Sequence, residues 1–269
     1  MTGRFISSRM TLAIAVLITG AILTCSTTGA EEMLKYSCSA QIYEAFGQER
    51  LDAFNKETGV KVELYVSTSG SAVYRLMNGF SDIASTARPL YYRHKESGYV
   101  ETPFARDPIA VITHESCTVK DITDEQLQKI FSGEIKNWKD VGGPDQPIIV
   151  IVPGKDTGSY KNFERLAMDR KEIVYDLMTN KSTMAIETVK QFPWSISFIS
   201  YGAAVTKAVT KTLKVNGVDP KDKGYPYYQT FSFVTKGAPA GSAKKFIDFA
   251  LSDKGKQIMT DKGMVPIHN

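Results

Sequence analysis

Along the chain, apolar positions switch repeatedly between a period near 3.6 and a period of 2, with short connectors between them. From Glu44 to Thr58 the residues Phe46, Ala53 and Phe54 share one helical stripe, and Gly59 suits the position just past a helix end. Val60 to Val66 alternates as a strand, with Val62, Leu64 and Val66 on one face. A short helix is expected from Ser71 to Asn78, stopped by Gly79. Pro108 to Thr113 and Ile148 to Val152 are unbroken apolar runs, as expected of strands buried on both faces. In Ile122-Thr123-Asp124-Glu125-Gln126-Leu127, Thr123 can cap a helix, Gln126 can return the bond, and Ile122 can staple onto Leu127. A helix with Phe163 and Leu166 on its inner side follows the second apolar run, and Ser242 to Gly263 reads as one or two helices packed through Phe246, Phe249, Ala250 and Ile258. Helices alternating with strands predict an α/β fold. There is no internal repeat and no low-complexity linker, so any division into lobes has to be made by crossing strands.

The first residues break this pattern. Met1 to Met10 carries Arg4 and Arg9 and no acid, and Thr11 to Thr24 is almost wholly apolar. Small residues at Thr28-Gly29-Ala30 then precede Glu31-Glu32. This is the layout of a secretory signal peptide over residues 1–30. Its apolar run is shorter than the roughly 20 residues a spanning helix needs. Leu23-Thr24-Cys25 loosely resembles the box before a lipidated cysteine, so the exported protein is expected in the periplasm or cell envelope, free or anchored at Cys25.

Composition narrows the function by exclusion. Without the leader about 239 residues remain, enough for one large core or two small lobes. Removing Arg4 and Arg9 leaves 31 basic against 29 acidic residues, a near-neutral balance without the concentrated basic face of a nucleic-acid binder. Cys38 and Cys117 are the cysteines left after processing, and they fit a disulfide or two separate buried thiols equally well. Serine hydrolase chemistry lacks a Gly-x-Ser-x-Gly elbow, and Gly154-Lys155 lacks the other residues of a nucleotide P-loop. His94, His114, His268 and the cysteines show no metal-ligand spacing, so neither a metal nor a cofactor is expected. Tyr225, Tyr227 and Tyr228 suit a sugar platform in type, but Pro226 among them and the strand-like Phe231 to Val234 beyond suit a packed turn better.

Three segments share one design, with small hydroxyl residues and glycine between a strand and a helix. They are Ser37-Cys38-Ser39-Ala40-Gln41, Ser67-Thr68-Ser69-Gly70-Ser71 and Thr157-Gly158-Ser159. A helix start leaves backbone N–H groups unpaired and carries about half a positive charge. Hydroxyls added to it, with glycine allowing close approach, make an anion cradle. A single such segment is an ordinary N-cap. Several at the strand ends of an α/β protein converge on the crevice where such folds bind ligands.

Four further stretches carry a resemblance. Phe80-Ser81-Asp82-Ile83-Ala84-Ser85-Thr86-Ala87-Arg88-Pro89-Leu90, Ile122 through Gly143, Ser197-Phe198-Ile199-Ser200-Tyr201-Gly202, and Phe246 to Ser252 with Val265-Pro266 are similar, in order, to landmarks of the phosphate-binding proteins of bacterial ABC importers. The resemblance implies a two-lobed α/β fold of the periplasmic-binding-protein type II class, each lobe a mixed sheet flanked by helices and the two joined by a two-strand hinge. The first lobe would combine residues 31–111 with 204–269, and the second would be 112–203. It further implies a monomeric, non-enzymatic binder that captures a small oxyanion, phosphate first, and passes it to an importer permease. The ligand residues implied are Ser39, Gln41, Ser69, Gly70, Thr86, Arg88, Thr157, Gly158 and Ser159. Two positions depart from the family pattern. Pro153 stands where a ligand arginine is expected, with Lys155 and Asp156 as candidate substitutes, and Ala87 stands where some members place a proton-accepting aspartate. The departures leave open a different anion (sulfate, a metal oxyanion, an organic phosphate or carboxylate) and a role as sensor input. An envelope hydrolase using one of the serines is the remote alternative.

Overall fold

The computed structural model describes residues 1–3, 32–206 and 211–267. The leader expected up to Ala30, with Cys25, lies outside the described residues apart from Met1, Thr2 and Gly3, and so does His268. Glu31–Asn269 is one compact unit, and no helix among the described residues is long and apolar enough to cross a membrane.

In chain order the first elements are β1 (Met33–Ser39), α1 (Ala40–Phe46), α2 (Gln48–Thr58), β2 (Lys61–Ser67), α3 (Ser69–Met77), β3 (Ile83–Thr86) and α4 (Tyr92–Glu96). Next come β4 (Tyr99–Thr113), β5 (Asp121–Ile122), α5 (Asp124–Phe131), β6 (Ile149–Pro153), α6 (Gly158–Leu166), β7 (Leu177–Thr179), α7 (Met184–Gln191), β8 (Ser195–Ser200) and α8 (Tyr201–Thr206). The last are β9 (Lys211–Val215), β10 (Tyr228–Lys236), α9 (Gly241–Leu251), α10 (Asp253–Asp261) and β11 (Val265–Pro266). Strands are hydrogen-bonded in the order β2-β1-β3-β10-β4-β8-β6-β7.

The long strand β4 joins two differently cored halves of this sheet. Its first part, Tyr99 to Pro108, runs antiparallel to β10, whereas Ile109 to Thr113 pairs with β8 and, from Val111 on, with β9. Burial follows the strand period of 2. Ile109 and Val111 face a core with Phe131, Trp138, Val152, Phe163 and Phe198, while Ala110 and Ile112 face Ile151, Ile186, Val189 and Ile199 on the other side. The other half is layered likewise. Leu34, Tyr36, Phe54, Phe104, Phe233 and Phe246 cover one face, and Ala72, Leu76, Ala84 and Val234 the opposite one. Each buried Phe contributes about 1.5–3 kcal/mol of transfer free energy. In the core with Phe104 and Phe233, the fully buried guanidinium of Arg50 lies over the rings of Phe46 and Phe246, at 4.4 and 5.0 Å from their centroids.

Several expected elements recur with shifted ends. Thr123 and Gln126 form the reciprocal capping box. Gly59 closes α2 in the left-handed region, and the run at Pro108 to Thr113 is the end of a strand that starts at Tyr99. The single helix expected over Glu44–Thr58 is two. At Gly47 the backbone leaves helical geometry, and a Cβ there would sit 2.0 Å from the Tyr43 carbonyl oxygen, so only glycine permits the break. Core membership also runs beyond 112–203. Ile109, Val111, Leu213, Val215, Tyr225 and Tyr227 all pack with Phe163 and Phe198. Tyr225 and Tyr227 are the packed turn, with the Tyr225 hydroxyl donating to the Ile109 carbonyl at 2.9 Å. Cys38 and Cys117 are both free and buried, in different cores.

Candidate functional site

Two helix starts from the two halves of the sheet meet at one seam. On one side α3 begins after β2, with Thr68 as N-cap accepting from the Ser71 N–H at 3.1 Å. On the other, α6 begins after β6, with Thr157 as N-cap accepting from the Tyr160 N–H at 3.2 Å. Their first residues touch. A Cβ on Gly158 would lie 2.8 Å from the Ala87 Cβ, 2.9 Å from the Ser69 Oγ and 3.2 Å from the Gln41 Nε2. That distance excludes any side chain, so glycine is needed here for close approach.

Around this contact lies a buried set of polar groups. The Ala87 N–H donates to the Ser69 Oγ at 3.1 Å, which occupies that oxygen as an acceptor and leaves its proton to donate. The Ser159 hydroxyl donates to the Gln41 Oε1, and the Asn162 amide donates across the seam to the Ala87 carbonyl. Gln41 and Asn162 both donate to the Gln229 Oε1, at 3.0 and 3.2 Å. Gln229 in turn donates to the Asp107 Oδ2 at 3.1 Å, and the Gly202 N–H donates to Oδ1 at 2.9 Å. Asp107 and Gln229 are cross-strand partners of β4 and β10, on the two strands that run between the halves. Burial pushes the Asp107 carboxyl up to about 6, against the donors from Ser200, Gly202, Gln229 and Tyr201 that lower it.

A cationic mouth lies outside the seam. A cavity of about 480 Å³ is lined by Arg88 and Tyr91 from one side and by Lys161, Asn162, Arg165 and Arg170 from the other, with Glu164 as its acid. Arg88 donates to the Tyr91 hydroxyl at 3.1 Å and lies over that ring, 5.1 Å from its centroid. A Cβ on Gly70 would meet the Arg88 Nη2 at 3.0 Å, which places the guanidinium at the start of α3. Arg165 donates to the Asn162 Oδ1 at 3.2 Å, linking mouth and seam.

Of the residues expected at the site, the structure brings Gln41, Ser69, Gly158 and Ser159 together at the seam and Gly70 and Arg88 at its mouth. The others have different tasks in this geometry. The Thr157 hydroxyl is committed to its cap and to the Gly154 carbonyl at 2.7 Å. The Thr86 hydroxyl is tied to the Arg88 backbone, donating to its carbonyl at 3.0 Å and accepting from its N–H at 3.2 Å. Ser39 is buried at the start of α1, where its carbonyl accepts from the Cys38 thiol. Lys155 does not fill the place left by Pro153; its ammonium lies over the Tyr175 ring, 5.7 Å from the centroid. Asn162, Gln229 and Asp107 belong to the hydrogen-bonded network of the candidate site, and sequence reasoning missed them. Asn162 follows Ser159 by three and so shares its helix face, a legible signal. Asp107 and Gln229 carry none, since only β4–β10 pairing brings them together. Among the described residues no group of His, Cys, Asp and Glu is arranged to hold a metal ion.

Known proteins resemble this chain over nearly its whole length. It is 28% identical over 234 residues to the phosphate-binding protein PstS of Bacillus subtilis (strain 168), covering 83% of this chain and 75% of that one. It is 27% identical over 277 residues to the PstS of Borreliella burgdorferi, covering 96% and 99%. A substrate-binding protein from Clostridium perfringens, crystallised with bound phosphate, superposes with a TM-score of 0.81 at 27% identity, over 88% of this chain and all of that one. The two-lobed α/β architecture is the type II periplasmic-binding-protein fold. Residues 26–254 match the family model of the PBP superfamily domain, and the chain belongs to that superfamily.

Proposed function

We propose that this protein is an extracytoplasmic solute-binding protein that captures inorganic phosphate between its two lobes and delivers it to an ABC importer. The observation that carries the reading is the seam itself, where the starts of α3 and α6 meet: a Cβ on Gly158 would touch the Ser69 Oγ, and the Ser159 hydroxyl donates to Gln41 at the start of α1. Two helix N-termini, two hydroxyls and a basic mouth make a site for an anion held by hydrogen bonds. This reading requires no chemistry on the ligand. Binding works as a clamp, because an anion that touches both lobes at once stabilises only the closed arrangement. The strands β4 and β10 serve as the hinge, and the lobe boundaries follow the cores, near Pro108/Ile109 and Tyr227/Tyr228. The relatives named PstS and the phosphate-bound neighbour support phosphate as the first ligand to test, and the leader-like residues 1–30 support export.

Pro153 and Ala87 favour a second reading, the same clamp on another oxyanion. A thermal-shift panel of phosphate, arsenate, sulfate and molybdate on the purified protein separates the two. Phosphate is expected to raise the melting temperature in proportion to the logarithm of its concentration above Kd, by mass action on the native state. No shift at millimolar phosphate refutes the phosphate reading, and a shift with another anion alone establishes the second.

A further inference from the structure

The mouth of the cleft carries charge that the seam does not use. Arg88 comes from the connector after β3, while Lys161, Arg165 and Arg170 come from α6 and the turn beyond it, so both lobes line the cavity of about 480 Å³. These four cations share it with one acid, Glu164, which already pairs with Lys161 at 3.1 Å. The other bonds leave charge unmatched, since Arg165 donates to the neutral Asn162 Oδ1 and Arg88 to the Tyr91 hydroxyl. The Arg170 guanidinium meets no carboxylate among the described residues. The backbone that presents it is strained. Asp169 and Arg170 stand in succession in the left-handed region, at φ 47° and 63°, which side chains other than glycine seldom adopt. Strain of this kind persists where the surroundings over-determine it, as at ligand clamps. Here the Arg170 N–H donates to the Glu164 carbonyl at 2.7 Å and the Lys171 N–H to the Met168 carbonyl at 2.9 Å, and the turn they hold keeps Arg170 in the same cavity lining as Arg165.

Mouth and seam are separate spaces. Asn162 stands between them, its amide donating to the Ala87 carbonyl and to Gln229 while its Oδ1 accepts from Arg165. The mouth falls within the roughly 300–1,000 Å³ of small-molecule sites, more than a lone phosphate fills. Guanidinium forks match pairs of phosphate oxygens, and an excess of three positive charges calls for an anion of similar charge. We propose that the mouth is a second anion site, distinct from the seam, that takes a condensed phosphate such as diphosphate, held by Arg88 from one lobe and by Arg165 and Arg170 from the other. A polyanion there also offsets the repulsion between like charges that the two lobes bring together on closing. The inference rests on the closed arrangement of the lobes and not on which anion the seam captures.

The test is calorimetry with inorganic diphosphate and, separately, inorganic phosphate, on the purified protein and on Arg170→Ala and Ser69→Ala, with melting curves to confirm folding. Diphosphate should bind the unmodified protein at low salt, and saturating phosphate should leave that binding in place. Arg170→Ala should weaken diphosphate by about tenfold or more, the loss of a charge-assisted contact, and phosphate by a clearly smaller factor. Ser69→Ala should show the opposite order. Arg170 is exposed, so its replacement should fold; if it does not, Arg170→Lys, which keeps the charge and loses the fork, should weaken diphosphate more than phosphate. No binding of diphosphate at millimolar concentration overturns the inference. So does full displacement of diphosphate by phosphate, or equal losses of both ligands in the Arg170 variant, since either outcome means one shared site. If phosphate alone fails to bind, the capture reading falls, while diphosphate binding that depends on Arg170 still upholds the mouth site.

Discussion

Four residues with similar side chains separate into two kinds of work at the seam. Thr68 and Thr157 spend their oxygens on the N–H groups of Ser71 and Tyr160 as caps, whereas the Ser69 Oγ lies against Gly158 and the Ser159 hydroxyl donates to Gln41 across the seam. Replacing Thr157 by Ala should therefore cost about 1 kcal/mol of stability, read by denaturant unfolding, with a small change in phosphate affinity. Replacing Ser69 or Ser159 by Ala should do the reverse, weakening binding by about 1–3 kcal/mol. Equal binding losses in the threonine and serine variants would show that the division of labour is wrong. Gly158→Ala is the sharper case. Its Cβ would collide with Ala87 at 2.8 Å, so phosphate binding should be lost while far-UV circular dichroism keeps the native spectrum. The thiols give a third expectation at this scale. Burial raises the pKa of Cys38 and of Cys117, which keeps both protonated. Neither should react with a thiol reagent in native buffer, and both should react in denaturant; fast labelling of the native protein would contradict their burial.

At the scale of elements, the periodic pattern located most helices and strands and the capping box of α5, because those depend on residues near in sequence. It failed where a distant partner decides. A single stripe from Phe46 to Phe54 reads as one helix, yet Gly47 splits it, so that α1 starts at Ala40 and puts Gln41 at the seam. The apolar run at Pro108 to Thr113 reads as a strand of six, yet β4 starts at Tyr99 because β10 supplies partners for the more polar stretch before it. The landmark around Trp138, which carried much of the resemblance, serves the fold and not the ligand. Trp138 is fully buried in the core with Phe131, Phe163 and Phe198, and its indole N–H donates to the Trp194 carbonyl at 2.8 Å.

At the scale of the whole molecule, the buried Asp107 at the hinge imposes a pH dependence. Its carboxyl is pushed up to about 6 by burial, above the ordinary aspartate value of 3.8. The folded chain thus holds this proton more tightly than the unfolded one, so the contribution of Asp107 to stability is full below about pH 4 and is lost as pH rises through about 6. The size is on the order of 3 kcal/mol, from two pKa units at about 1.4 kcal/mol each. Asp107→Asn removes the titration. The stability difference, variant minus wild type, should rise between about pH 4 and 6 and stay level above about 7 in urea unfolding; a difference flat with pH would show that Asp107 titrates normally.

The sequence by itself determined the α/β alternation, the caps and the hydroxyl-glycine segments, since each rests on neighbours within a turn or a strand. It also placed Gln41, Ser69, Gly158 and Ser159 among the candidates, because a helix start after a strand is a local event with a local signature. Only the tertiary structure decided which hydroxyls are caps and which face the seam, that Cys38 and Cys117 lie in separate cores, and that Asp107 and Gln229 reach the site at all. Those outcomes depend on which strands pair and which lobes meet. Strand pairing joins residues more than a hundred positions apart, such as Asp107 and Gln229, and no short-range pattern records it.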